Sequence, residues 1–180
     1  IIMALIIENR KIVGTIDNLE DKLEGKLPVD RLELLYLVNS WGKNKYFEEH
    51  FELDEHIENG YIPIECSEKK CYDLSKLDTS EITDMSQLFY YSEFNGDISN
   101  WVVSNVTDMY GMFRDAKAFN QPLDNWDVSS VTNMKSMFYH AESFNQNINS
   151  WNVSHVLNME YMFSFAENFN SPLDKWDVSN

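Results

Sequence analysis

From Phe94 onward, apolar and polar positions recur every 25 residues. Trp101, Trp126, Trp151 and Trp176 keep that interval. So do Phe94, Phe119, Phe144 and Phe169, each followed by an asparagine (Asn95, Asn120, Asn145 and Asn170). Met109, Met134 and Met159 share the step with the pairs Met112-Phe113, Met137-Phe138 and Met162-Phe163. A fixed period in this range marks a repeat architecture and outranks local propensity. Within one unit, Val106, Met109, Met112, Phe113 and Ala116 fall within an arc of roughly 120° at 100° per residue, which predicts a short amphipathic helix. Helices are therefore expected over 83–91, 107–116, 132–141 and 157–166. Thr83, Thr107 and Thr132 are candidate N-caps, and Leu157 breaks that series. A helix of about ten residues cannot persist alone in water, so stacking must hold it.

After each helix the pattern predicts a turn at Phe-Asn and a short extended run, over 97–99, 122–125 and 147–150. Ile98, Leu123, Ile148 and Leu173 supply its inward residue. Pro122 and Pro172 cannot donate a ladder bond and keep these runs short. Leu77-Asp78-Thr79-Ser80 stands where Trp126-Asp127-Val128-Ser129 stands later, so the first copy starts at Leu77 and is one residue short. Terminal repeats are expected to be atypical. The last copy is followed by no capping element, so its outer side should expose apolar surface.

Residues 1–65 lack the period and read as a mainly helical N-terminal cap on a repeat domain of about four copies over 66–180. Met3–Ile7 and Lys11–Val13 read as strands. The apolar opening Ile1–Ile7 lacks a basic leader and a cleavage site, so it is read as a strand and not as a signal peptide. Asp17 can cap a short helix through Leu19 and Leu23 that Gly25 stops. Pro28 suits the first turn of a second helix through Leu32, Leu35 and Val38. A third helix is expected from Lys45 to Ile57, then an extended Tyr61–Ile64.

Neighbouring strands sit about 4.8 Å apart, whereas packed helices need roughly 8–10 Å. Strands stacked on strands and helices on helices must curve with the strands inside. The expected fold is therefore α/β, a right-handed leucine-rich-repeat-like solenoid of 25-residue units. The unit WDVSSVTNMKSMFYHAESFNQNINS closely resembles the repeats of BspA-like leucine-rich-repeat surface proteins. These occur in mycoplasmas and several host-associated bacteria, often on lipoproteins. The core W-D-V-S-x-V-T-x-M-x-x-M-F is whole at Trp126–Phe138; Val102 departs from it in the second copy, and Asn152 and Leu157 in the fourth. The likeness covers about residues 71–180. It implies an extracellular binding or adhesion scaffold, at the cell surface or secreted, without enzymatic activity or a catalytic motif.

Charge narrows the partners. The chain carries 30 acidic and 14 basic residues, a formal net charge of −16. Phosphate contacts need Lys and Arg, so nucleic acid is a poor partner. No apolar run reaches the roughly 20 residues needed to span a bilayer. Cys66 and Cys71 are either a small disulfide loop or two free thiols, and two cysteines make no four-ligand zinc site. His50, His56, His140 and His155 share no common face and read as surface residues. Stacked acidic turns at Asp97, Asp124, Asp127, Asp174 and Asp177 can bind calcium in principle, but Asn149 and Asn152 interrupt the row and no glycine-rich half follows. No cofactor is expected, and no pair of carboxylates stands out as acid and base.

The inner, strand-side positions vary from copy to copy: Asp97 and Ser99, Asp124 and Asn125, Asn149 and Ser150, Asp174 and Lys175. They form the expected partner-binding set, an acidic concave face for a protein with a basic patch, such as a host or matrix protein. The alternatives are an intracellular acidic decoy for a nucleic-acid-binding protein, which the charge allows, and a structural spacer.

Overall fold

The computed structural model describes residues 4–8, 11–16, 18–39 and 72–180. The expected Lys45–Ile57 helix, the extended Tyr61–Ile64 and residues His50, His56, Cys66 and Cys71 lie outside the described residues.

β1 (Ala4–Glu8) and β2 (Lys11–Ile16) pair antiparallel, with a register shift between Ile6 and Ile7. α1 (Leu19–Leu23) follows Asn18, whose φ of 56° is left-handed. Gly25, at φ 71°, closes it; a Cβ there would run into the Lys76 carbonyl oxygen of the repeat domain. α2 spans Arg31–Asn39. Pro28 does not begin α2 as expected, because it is bridged in parallel to Asp78 instead. Asp30 caps the helix: its carboxylate accepts from the Glu33 N–H at 2.9 Å, and Glu33 Oε2 accepts from the Asp30 N–H at 2.9 Å. This reciprocal capping box fixes where α2 starts. Glu33 is buried, and Lys22 of α1 pairs with it at 2.6 Å. Val29, Leu34, Leu37 and Val38 join a single apolar core with the repeats.

The repeat copies run 77–100, 101–125, 126–150 and 151–175. Their inward residues are those the periodicity marks: Met109, Met112, Phe113, Ala116 and Phe119 are fully buried, as are Met134, Met137, Phe138, Ala141 and Phe144. Their conformation differs from expectation. Residues 72–180 contain neither an α-helix nor a β-strand, so the helices over 83–91, 107–116, 132–141 and 157–166 and the strands over 97–99, 122–125 and 147–150 do not form.

In place of each helix there is a run of overlapping turns. Alternate N–H groups bond three residues back, as in Met112 to Met109, Arg114 to Gly111 and Ala116 to Phe113. The others cross to the next copy: Met109 to Asn133, Gly111 to Lys135, Phe113 to Met137 and Asp115 to Tyr139. Two residues per copy, four apart, take left-handed φ: Gln87 and Tyr91, Gly111 and Asp115, Ser136 and His140, Tyr161 and Phe165. Each is the third residue of a turn that requires φ > 0. A non-glycine residue there costs roughly 1–2 kcal/mol. The inter-copy bonds offset that cost; in a ten-residue helix most of those amides would bond within their own copy and tie nothing to the next. The expected threonine caps are replaced by Asp84, Asp108, Asn133 and Asn158, whose side chains accept the N–H two residues on. Such Asx turns compete with helix starts.

Aromatic ladders cross the junctions. Phe89, Phe113, Phe138 and Phe163 stack with centroid steps of 5.2, 5.4 and 5.7 Å. Trp126, Trp151 and Trp176 stack at 6.5 and 6.4 Å. Each of these tryptophans donates its Nε1–H to the carbonyl of the inward residue 28 positions back, for example Trp126 to Ile98 at 3.1 Å and Trp151 to Leu123 at 2.9 Å. Copies are thus joined backbone to backbone on the turn side. On the Phe-Asn side a side chain bridges them: Asn95 Oδ1 accepts from Asn120 N–H, Asn120 Oδ1 from Asn145, and Asn145 Oδ1 from Asn170. The ring steps are also longer on that side, 6.3, 6.1 and 5.9 Å along Phe94, Phe119, Phe144 and Phe169, so the rings of the turn side sit closer from copy to copy.

Candidate functional site

The eight expected partner-binding residues lie at the surface, but not in one register. Ser99, Asp124, Asn149 and Asp174 are equivalent, and Asn125, Ser150 and Lys175 form the row beside them. Asp97 belongs two positions earlier, with Asn147: each folds its side chain back to the N–H two residues on, at 2.9 and 3.0 Å. Several of the others link copies. Asn149 Nδ2 donates to Asp174 at 2.8 Å, Lys175 N–H donates to Asn149 at 3.0 Å, and Ser150 Oγ donates to the Asp124 carbonyl at 3.0 Å. Asp124, Asn125, Ser150, Asp174 and Lys175 are exposed. The row is an acidic edge with structural hydrogen bonds of its own. The inner position expected for it rested on strands and helices that do not form.

A second surface escaped the sequence reading. On the turn ladder two rows of equivalent positions run side by side: Tyr90, Arg114, Tyr139 and Ser164, then Tyr91, Asp115, His140 and Phe165; Tyr90 and Asp115 are buried, Phe165 is exposed and the others are half-buried. The Arg114 guanidinium lies between two rings, 5.5 Å from the Tyr90 centroid and 4.8 Å from that of Tyr139. Asp115 is buried beside it, 3.5 Å from Arg114 Nε and 3.0 Å from His140 Nδ1. The Nε contact is one of charge only, since that nitrogen has no hydrogen-bond partner. Burial pushes the Tyr90 phenol up to about 12. The exposed Phe165 ring meets Tyr139 and His140 edge-on at 5.4 and 5.1 Å. Lys117 pairs with Glu142 and Lys135 with Glu160, each at 2.6 Å, and these bonds hold both glutamates below the usual carboxylate range.

The helical reading hid this surface. Seen as a helix, Tyr90, Arg114 and Tyr139 are ordinary outward residues; only the ladder sets equivalent positions directly over one another. The signal available in the sequence was the aromatic and arginine content of positions whose neighbours are invariant. His140 is half-buried in this surface, and His155 is exposed elsewhere. Among the described residues no group of three histidines, cysteines or carboxylates is placed to hold a metal ion. No helix among them is long and apolar enough to cross a membrane.

Residues 63–176 match the family described as Mycoplasma protein of unknown function, DUF285. That match covers more than half of the chain, which belongs to this family. No curated protein and no solved structure matches it significantly.

Proposed function

We propose that the chain is a non-enzymatic binding scaffold of the mycoplasma cell surface, a solenoid of the BspA-like leucine-rich-repeat kind that adheres to a host or matrix protein. One observation carries this reading. The core positions are nearly identical from copy to copy, while the two rows beside them on the turn ladder read Tyr, Arg, Tyr, Ser and Tyr, Asp, His, Phe, and all of these but Tyr90 and Asp115 reach the surface. The fold does not dictate those outward residues, and they are rich in the tyrosine and arginine that carry binding energy at protein interfaces. The turn side, where the rings sit closer from copy to copy, is the inner face in this reading. The row from Asp97 to Lys175 then acts as an acidic flank that attracts a basic partner and speeds its approach.

The experiment uses two triple variants and binding to host cells and matrix proteins over a salt series. Changing Arg114, Tyr139 and Phe165 to Gln, Ser and Ser should weaken binding at least tenfold, as expected for interface anchors. Changing Asp97, Asp124 and Asp174 to Asn should slow association at low salt and leave dissociation unchanged. Wild-type affinity and salt dependence in both variants would overturn the reading. Fractionation of the native protein into the cytoplasm would overturn the surface assignment and favour the acidic-decoy alternative.

A further inference from the structure

Within the turn ladder the bonds between copies run one way, whereas the N–H groups of Thr107, Thr132 and Leu157 just before it donate the other way, to the carbonyls of Thr83, Thr107 and Thr132. N–H groups of 85, 87, 89 and 91 donate to carbonyls of 108, 110, 112 and 114; those of 109, 111, 113 and 115 to 133, 135, 137 and 139; and those of 134, 136, 138 and 140 to 158, 160, 162 and 164. Over these four positions the amides meet one edge and the matching carbonyls the other. This stretch of each edge therefore has a single polarity, unlike the edge of a β-sheet, which alternates donors and acceptors.

The first copy's carbonyl edge is covered within the chain. Arg31 Nη1 donates to the Asp84 carbonyl at 2.6 Å and Nη2 to the Ser86 carbonyl at 3.1 Å. Asp84 and Ser86 are the counterparts of Asp108 and Tyr110, whose carbonyls accept from the first copy. A guanidinium thus stands where a preceding copy's amides would. At the other side of the stack, the amide edge consists of the N–H groups of Met159, Tyr161, Phe163 and Phe165. No acceptor among the described residues meets them. Around them lies an open depression of ≈ 450 Å³ lined by Met159, Tyr161, Met162, Phe163, Ser164 and Trp176. Phe163, Phe169 and Trp176 stack with one face on Phe138, Phe144 and Trp151 and are only partly buried.

We propose that this edge is a docking site for a polypeptide unit of the same repeat type, entering with its carbonyl edge first. It goes beyond the binding role above and does not depend on it. Continuity with the three existing junctions selects this occupant: the same donor spacing, the same ring ladder and the Asn170 side chain meet it. A partner helix would cover the rings but leave four buried donors unpaired, each a costly desolvation. A second molecule of this chain does not fit, because Arg31 and α2 occupy its carbonyl edge.

The test titrates the 180-residue chain with a synthetic peptide of the sequence 126–150, reading backbone amide exchange by NMR. Met159, Tyr161, Phe163 and Phe165 should each slow by about tenfold or more at saturation. Glu160, Met162 and Ser164, already bonded within their own copy, should not change. A scrambled peptide should protect none of them. A peptide that leaves the four amides unchanged overturns the proposal. So does equal protection by inorganic phosphate alone, which would make the edge a simple anion nest.

Discussion

The side-chain oxygen of Asn120 accepts the backbone N–H of Asn145 across the copy boundary at 3.0 Å. It also accepts from Gln146 Nε2 at 2.9 Å. Asn120→Ala removes the one acceptor of both bonds and should cost about 1–2 kcal/mol. Asn120→Asp keeps an acceptor and should cost less. Met137→Ala, at a fully buried position, should cost about 2–5 kcal/mol. Denaturant melts ranking Asn120→Ala as the worse of the two would mean that the side-chain ladder outranks the apolar core.

Two glycines with left-handed φ should respond differently to alanine. At Gly111 the nearest side-chain atom to an added Cβ is 3.5 Å away, and Gln87, Ser136 and Tyr161 occupy the equivalent position. Gly111→Ala should cost only the conformational penalty, about 1–2 kcal/mol. At Gly25 the added Cβ meets the Lys76 backbone. Gly25→Ala should therefore be clearly worse and should detach α1 from the repeats. Equal losses in melts of the two variants would count against the placement of α1.

Arg31 ties the N-terminal segment to the first copy through two carbonyls and a 3.3 Å ion pair with Asp84. Arg31→Ala should cost about 1–2 kcal/mol, discounted because the side chain is part-exposed. Arg31→Lys should recover only part of that, since an ammonium lacks the planar fork that spans two acceptors. Full recovery in Arg31→Lys would show that charge alone matters there.

The Ser129 hydroxyl and then its backbone N–H hold the Asp127 carboxyl below its ordinary range. A depressed carboxylate stabilises the fold above its unfolded value, near pH 4, and that contribution is lost as pH falls through the lower folded value. Asn152 makes the same turn with Ser154 at the equivalent position. Asp127→Asn should therefore match wild type at neutral pH and show a shallower loss of melting temperature on acidification. An unchanged acid slope would assign the acid sensitivity to other carboxylates.

The sequence by itself determined the period, the copy boundaries and which residues face inward. Met109, Met112, Phe113 and Ala116 were placed in the core correctly although their conformation was not. Residues three and four apart share a side in an α-helix and also in a chain of overlapping turns, so the apolar pattern fits both. The Asn95–Asn170 series was legible as a repeated turn position, and the structure shows that its side chains accept from the next copy.

Only the tertiary structure decided where the backbone hydrogen bonds go. Helix or ladder depends on whether Gly111 N–H finds its own chain or Lys135 of the next copy, and that acceptor exists only once the copies are stacked. The left-handed turns at Tyr91, Asp115 and His140 are unfavourable locally, and inter-copy bonds compensate them. The same bonds set Tyr90, Arg114 and Tyr139 over one another and give the stack its polar edges. Neither feature is written in any one repeat, because each arises from the contact between two.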